Sequence, residues 1–178
     1  IALEGRSEGV IIGTKVRVPA DNLADATGAV QRSMETSLRL LKRDSVDILH
    51  VHNRFTENRG DVPNSLSADD VMGPVLDAYQ AVQTAGKTRF IGHSGDNEAA
   101  RWAVESGHFD TLQTSYNLVE QHGRTTDLLS LAHEKGVGTI IKRPVANGVW
   151  GKASSPYSYG DEYHRRSEIM RKLGPIDG

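Results

Sequence analysis

Val46-Asp47-Ile48-Leu49-His50-Val51-His52 and Gly86-Lys87-Thr88-Arg89-Phe90-Ile91-Gly92-His93-Ser94 are the stretches on which the fold turns. Each is a short apolar run that ends on a polar side chain, and Val10-Ile11-Ile12-Gly13-Thr14-Lys15-Val16 upstream has the same form. Short apolar runs bounded by glycine suit the buried strands of a parallel sheet. A parallel barrel whose strands finish on reactive side chains gathers those groups at one face.

Helical patterns separate these runs. Asp21 and Asn22 are placed to cap a helix over residues 24–41, on which Val30, Met34, Ser37, Leu38 and Leu41 recur at three- and four-residue steps. After a loop at 53–67, Asp69 is placed to cap a second helix, with Val71, Val75, Tyr79 and Val82 on one face and Gly86 at its end. Strands at 89–94, 111–114 and 136–142 then alternate with helices at 97–106 and 126–135. A Gly-, Ser- and Tyr-rich loop at 146–159 leads into a charged helix at 161–173. Alternating strands and helices with short joints predict right-handed βαβ units, here five strands side by side in chain order with two open edges. No internal repeat interrupts the pattern.

The 178 residues suffice for one sizeable core and are read as a single domain, 1–178. They fall short of the roughly 250 that a closed eightfold barrel typically takes. A net charge of -2 with no basic run argues against a nucleic-acid partner. The absence of cysteine excludes disulfides and thiolate chemistry and suits a cytoplasmic protein. No apolar stretch approaches the roughly 18 residues of a spanning helix, so no membrane partner is expected. Neither oligomeric state nor substrate identity is specified.

Five segments, in order and at proper intervals, resemble the aldo-keto reductases. Residues 2–16 are similar to the family's passage from its second helix into its third strand, with Lys15 at the catalytic lysine. Residues 47–52 look like its fourth strand, with His52 at the catalytic histidine. Gly86 to Ser94 resembles the GK-x-R-x-IG-x-S signature and residues 113–117 the Q-x-x-YN signature, while Pro144 and Gly148 match a turn after the seventh strand. The resemblance implies a partial (β/α)8 TIM barrel of the aldo-keto reductase type, with about five βα units covering the third to seventh strands. It implies an oxidoreductase that reduces aldehydes or ketones with NADPH in preference to NADH. It further implies that the catalytic aspartate and tyrosine lie before Ile1 and the 2′-phosphate site after Gly178, so that the chain alone would be inactive.

The chemistry suits those positions. A free tyrosine has a pKa near 10, and a neighbouring ammonium such as that of Lys15 lowers it toward neutral-pH proton donation. A strand-end imidazole such as His52 can orient a substrate carbonyl by hydrogen bonding. Ser94 and Gln113 match residues that hold the nicotinamide carboxamide, and a glutamine supplies the donor and the acceptor that an amide needs. Lys142 and Arg143 stand where the family often has an aromatic that stacks on the nicotinamide, and a guanidinium plane can stack in its stead. The chain departs from the family at His50 and His93, where aliphatic or small residues are usual. It departs also at Gly95, where an asparagine commonly contacts the carboxamide and which leaves Asp96 or Asn97 to reach in.

Two other readings are open. His50-x-His52 with His93 could bind zinc in a metal-dependent hydrolase, although His50 alone reads as a hydrogen-bonded core residue. A non-catalytic regulatory subunit of the same family is the other. Trp102 reads as packing and Trp150 as a candidate pocket residue, while Arg54 and Arg59 would favour anionic substrates if they face the site.

Overall fold

The computed structural model describes residues 8–174. Along the chain, β1 (Gly13–Val16) and α1 (Ala26–Leu41) lead to β2 (Val46–Val51), then to two short strands, β3 (Arg54–Phe55) and β4 (Ser65–Leu66). There follow α2 (Ala68–Asp70), α3 (Leu76–Thr84), β5 (Thr88–Ser94), α4 (Asn97–Ser106) and β6 (Thr111–Ser115). The chain continues with α5 (His122–Thr125), α6 (Leu128–Glu134), β7 (Gly138–Lys142) and α7 (Asp161–Arg171). The main sheet has five strands in the order β1-β2-β5-β6-β7, every pair parallel. This is the predicted chain order, and the sheet with its helices is part of a TIM barrel. Among the described residues no helix is long and apolar enough to cross a membrane.

The register divides the sheet into two unlike faces. Lys15 pairs with His50, His50 with Gly92 and Gly92 with Thr111, so these residues share one face by strand alternation. Val16, Val51, His93 and Leu112 form the next row, on the other face. That second face carries the core. Val16, Leu49, Val51 and Ile91 pack with Val30, Met34 and Leu38 of α1 and Tyr79 and Val82 of α3. A second cluster joins Ala100 and Val104 of α4 to Leu112, Leu128, Ala132 and Val137. The first face becomes polar toward the C-terminal ends of the strands, which is where chemistry can reside.

Several boundaries differ from expectation for identifiable reasons. The first strand begins at Gly13, because the Ile12 N–H donates to the Asp47 carboxylate at 2.8 Å and the ladder stops there. Ala20–Asp25 coils as a 3-10 turn, so α1 is capped by Asp25, which accepts from the Gly28 N–H at 3.2 Å, and not by Asp21 or Asn22. Ser67, not Asp69, caps α2, in a reciprocal capping box with Asp70. The helix expected over 126–135 starts at Leu128, and Asp127 at φ 55° separates it from α5. The loop at 53–67 contains the parallel pair β3–β4, too short to show a periodicity. Gly86 ends α3 as predicted, at φ 70° with the Lys87 N–H donating to Val82 O.

Of three buried polar side chains, one ties the layers. The Tyr79 hydroxyl reaches Val16 O at 2.8 Å and His50 O at 3.2 Å, fixing α3 to β1 and β2, and burial pushes its pKa far up. His50 is buried with Nε2 at 3.3 Å from Thr111 Oγ1, the hydrogen-bonded core residue expected, and burial takes its pKa down to about 4. His93 lies on the helical face between Phe55, at 4.6 Å between centroids, and Phe109, at 5.8 Å. Neither of its ring nitrogens has a partner among the described residues, and burial lowers its pKa to about 3.

Replacing Tyr79 with Phe should cost about 1 kcal/mol, since Val16 O keeps its bond from the His52 N–H at 3.0 Å. The melting temperature should fall by about 2–4 °C, and a fall several times larger would show that the hydroxyl does more than tie α3 to the sheet. Acid should destabilise the fold through His50 and His93. Both titrate near 6.5 when unfolded, so below that pH the unfolded chain binds more protons and stability declines. The loss should run from about pH 6.5 down to about 4 for His50 and about 3 for His93, at up to about 1.4 kcal/mol per pH unit for each. Urea unfolding of wild type and His93→Leu across this range should differ in slope by about one proton, and equal slopes would refute the account.

Candidate active site

At the C-terminal ends of the strands a cleft of about 640 Å³ opens, lined among others by His52, Ser94, Asp96, Lys142, Arg143 and Tyr159. His52 follows β2 directly and is tied at both ends of its peptide unit. Its N–H donates to Val16 O at 3.0 Å, and its carbonyl accepts from Arg17 Nε at 3.3 Å. Burial and the charges on Lys15 and Arg17 lower its pKa, which favours a neutral imidazole able to donate one hydrogen bond. Lys15 stands exposed on the adjacent strand and does not form part of the cleft wall. Partial burial and the cations Lys142 and Arg143 pull its pKa down, against the pull of Asp96.

Ser94 and Gln113 pair in register on β5 and β6, and the Ser94 hydroxyl donates to Gln113 Oε1 at 3.2 Å. That bond leaves the two Nε2 protons of Gln113 as donors and the Ser94 oxygen as an acceptor. A flat carboxamide needs this combination. Ser94 lines the cleft, and Gln113 stands beside it on the next strand.

Lys142 and Arg143 meet a carboxylate. Lys142 Nζ lies 3.0 Å from Asp96 Oδ2, and Arg143 binds both Asp96, at 3.4 Å, and the Ser115 hydroxyl. Asp96 also accepts from the Ser115 N–H at 2.7 Å and from Thr114 Oγ1 at 3.1 Å. Burial would raise the Asp96 pKa, but the Ser115 N–H and Lys142 outweigh it and the net shift is downward. Asp96 is therefore committed to the strand ends and not free to replace the missing asparagine. Arg143 adopts φ 58° and its guanidinium lies over the Tyr159 ring at 5.1 Å, so its plane already has an aromatic neighbour. Asn117 shapes the turn after β6 by accepting from the Val119 N–H, and also donates to Arg143 O at 3.0 Å.

The departures at 93 and 95 prove to be one feature. A Cβ on Gly95 would fall 2.2 Å from His93 Nε2, so the buried imidazole occupies the space a side chain at 95 would need. The zinc reading loses its geometry, since His93 faces the helices and His50 the opposite side of the sheet. Among the described residues no group of three or more His, Cys, Asp or Glu is disposed to hold a metal. Trp102 packs edge-on against Phe55 as expected, at 5.0 Å. Trp150 packs against the cluster of Val119, Ala146 and Val149 instead of lining the cleft.

Four residues at the site escaped the sequence reading. Buried Asn53 clamps the Val18 peptide from both sides, accepting from its N–H at 3.0 Å and donating to its carbonyl at 2.7 Å. Its only local signal is its place directly after His52. Asp96 in its tethering role, Tyr159 and Arg17 have partners far along the chain, which no local pattern could reveal. Of the two loop arginines, Arg59 is bound to the buried Asp70, whereas Arg54 lines the cleft.

The sequence profile of the Aldo/keto reductase family matches residues 1–172. L-galactose dehydrogenase of Arabidopsis thaliana is 28% identical over 174 residues, covering 96% of this chain and 50% of the relative. An uncharacterized oxidoreductase of Bacillus subtilis is 22% identical, covering 94% of this chain and 52% of its own. The chain thus spans about half the length of the curated relatives it matches. Among solved structures, the holo form of an aldo-keto reductase from Bacillus halodurans superposes with a TM-score of 0.67 at 21% identity, covering 99% of this chain and 56% of that one. An aldo-keto reductase from Klebsiella pneumoniae in complex with NADPH gives 0.63 at 24% identity, covering 89% and 51%. With a profile match that runs through nearly the whole sequence, the affiliation is plain: the chain belongs to the Aldo/keto reductase family.

Proposed function

We propose that this chain contributes the lysine–histidine half of a nicotinamide-dependent active site that reduces aldehydes or ketones to alcohols. The observation that carries the reading is the placement of Lys15 and His52 at the same end of adjacent parallel strands, near enough for the ammonium to depress the imidazole's pKa. Family membership and an NADPH complex of a related protein support the choice of cofactor, NADPH in preference to NADH. The bound cofactor supplies hydride.

Ser94 and Gln113 hold the carboxamide, one offering an acceptor oxygen and the other the amide protons. Lys142 and Arg143, fixed by Asp96, close the cofactor side of the cleft. His52, neutral and backbone-tethered, donates to the substrate carbonyl and sets its orientation. Lys15 stabilises the phenolate of a tyrosine acid and so lowers its pKa. Buried Tyr79, its hydroxyl bonded to two carbonyls and its pKa raised, is unsuited to that role, and the family resemblance assigns the acid to a segment outside these 178 residues. The cysteine-free composition accords with a cytoplasmic site of action.

In the protein that carries this chain, Lys15→Met should lower turnover by about 10²- to 10⁴-fold while changing cofactor affinity little. The loss of reduced-nicotinamide absorbance with an aldehyde substrate measures the first, and fluorescence titration the second. Full turnover in the variant would end the proposal. His52→Ala should raise KM for the carbonyl substrate with little effect on cofactor affinity. The 178-residue chain by itself should show no NADPH-dependent reduction. If it reduces aldehydes well, the acid lies within it and Tyr159, in the cleft wall, is the first residue to replace.

A further inference from the structure

Arg17 and Arg54 flank the mouth of the cleft beside His52. They line the main cavity together and also an adjoining hollow of about 260 Å³ floored by Pro63 and Asn64. Arg17 uses Nε to hold His52 O at 3.3 Å, which orients its guanidinium and leaves the two terminal nitrogens unused by that bond. Arg54, exposed at the start of β3, has no ion pair among the described residues. Arg59, further along the same loop, is neutralised by Asp70.

The surrounding charge is lopsided. Lys142 and Arg143 share the cleft, and its lining carboxylate, Asp96, is consumed by those two cations, the Ser115 N–H and the Thr114 hydroxyl. Among the described residues no carboxylate pairs with Arg17 or Arg54. Two guanidiniums that line one hollow and also the cleft that holds His52 form a site that attracts an oxyanion. The buried bond between Asn53 and Val18 supplies the rigidity, because Val18 follows Arg17 and Asn53 precedes Arg54. One amide side chain thereby fixes the backbone next to both arginines.

We propose that the substrate is a carbonyl compound bearing an oxyanion group, carboxylate or phosphate, which Arg17 and Arg54 grip while His52 receives the carbonyl. The proposal rests on the reductase reading for the carbonyl end, whereas the anion end stands on the arginines alone. A planar guanidinium meets either oxyanion with paired N–H donors. Arg17 and Arg54 are thus specificity-determining residues, and the uncharged part of the substrate spans the distance between them and the reacting centre.

The test compares charged and uncharged aldehydes of matched length in the protein that carries this chain: succinic semialdehyde against butanal, and glycolaldehyde phosphate against glycolaldehyde. Charged substrates should win in kcat/KM. Arg17→Gln or Arg54→Gln should reduce that preference by about ten- to a hundredfold, the worth of hydrogen bonds to a charged group, chiefly through KM. Arg39→Gln, on the exposed end of α1, should leave the preference intact. The pair of substrates that shows the larger effect identifies carboxylate or phosphate as the group bound. In parallel, the 178-residue chain is titrated calorimetrically with succinate and with inorganic phosphate, where the arginine variants should bind at least about ten times more weakly. If aldehydes are reduced without a charge preference, or the preference survives both substitutions, the anion site is refuted and the reductase reading stands. If no aldehyde is reduced yet an anion binds and the variants lose it, the reductase reading falls and the anion site stands. If neither charge preference nor anion binding is seen, the anion site is refuted.

Discussion

The carboxylate of Asp96 allows several cations to share one end of a sheet. Lys142 and Arg143 both reach it, and Lys15 feels all three charges. Half-buried cations without a counter-charge would repel one another and pay the desolvation cost unaided. Asp96 occupies the N-terminal cap position of α4 but makes no cap bond there. Its side chain turns instead to the Ser115 N–H and the Thr114 hydroxyl, joining the loop after β5 to the end of β6. The helix gives up a cap, and the strand ends are locked together around the cleft.

The face that holds the cleft depends in turn on what lies behind it. Core side chains of α1 and α3 press on Val16, Leu49, Val51 and Ile91, and Tyr79 bonds carbonyls of both β1 and β2. These contacts set the height of Lys15 relative to His50, and hence to His52 two residues further on. A site residue here is positioned by its strand, and the strand by side chains on the face away from the chemistry.

What was legible in the sequence follows from the range of the forces involved. The strands that end at Lys15, His52, Ser94 and Lys142 announce themselves through local apolar runs, and their chain order follows from the handedness of βαβ units. Gly86 was readable because a left-handed residue at a helix end is a local demand. Asp25 took the capping role from Asp21 and Asn22 because a 3-10 turn just upstream moved the helix start, and Ser67 took it from Asp69 by closing a reciprocal box with Asp70 directly after β4. Asn53 with Val18, Asp96 with Lys142, and Tyr159 with Arg143 are pairs that only the folded chain creates. The division of labour between Arg54 and Arg59 was hidden for the same reason, since it rests on Asp70 having claimed one of them.

The shared space of His93 and Gly95 constrains the order in which this protein can change. A side chain gained first at 95 meets an imidazole ring packed against Phe55 and Phe109, so that the ring must shift to admit it. A smaller residue gained first at 93 opens a void that costs stability but keeps the backbone, after which position 95 is released. The two sites are therefore coupled in sequence space: an asparagine at 95 is reached without a clash through 93, and the reverse route passes through a strained intermediate. Anyone grafting the family's usual residue into this loop would have to begin one layer deeper, on the helical side of the sheet.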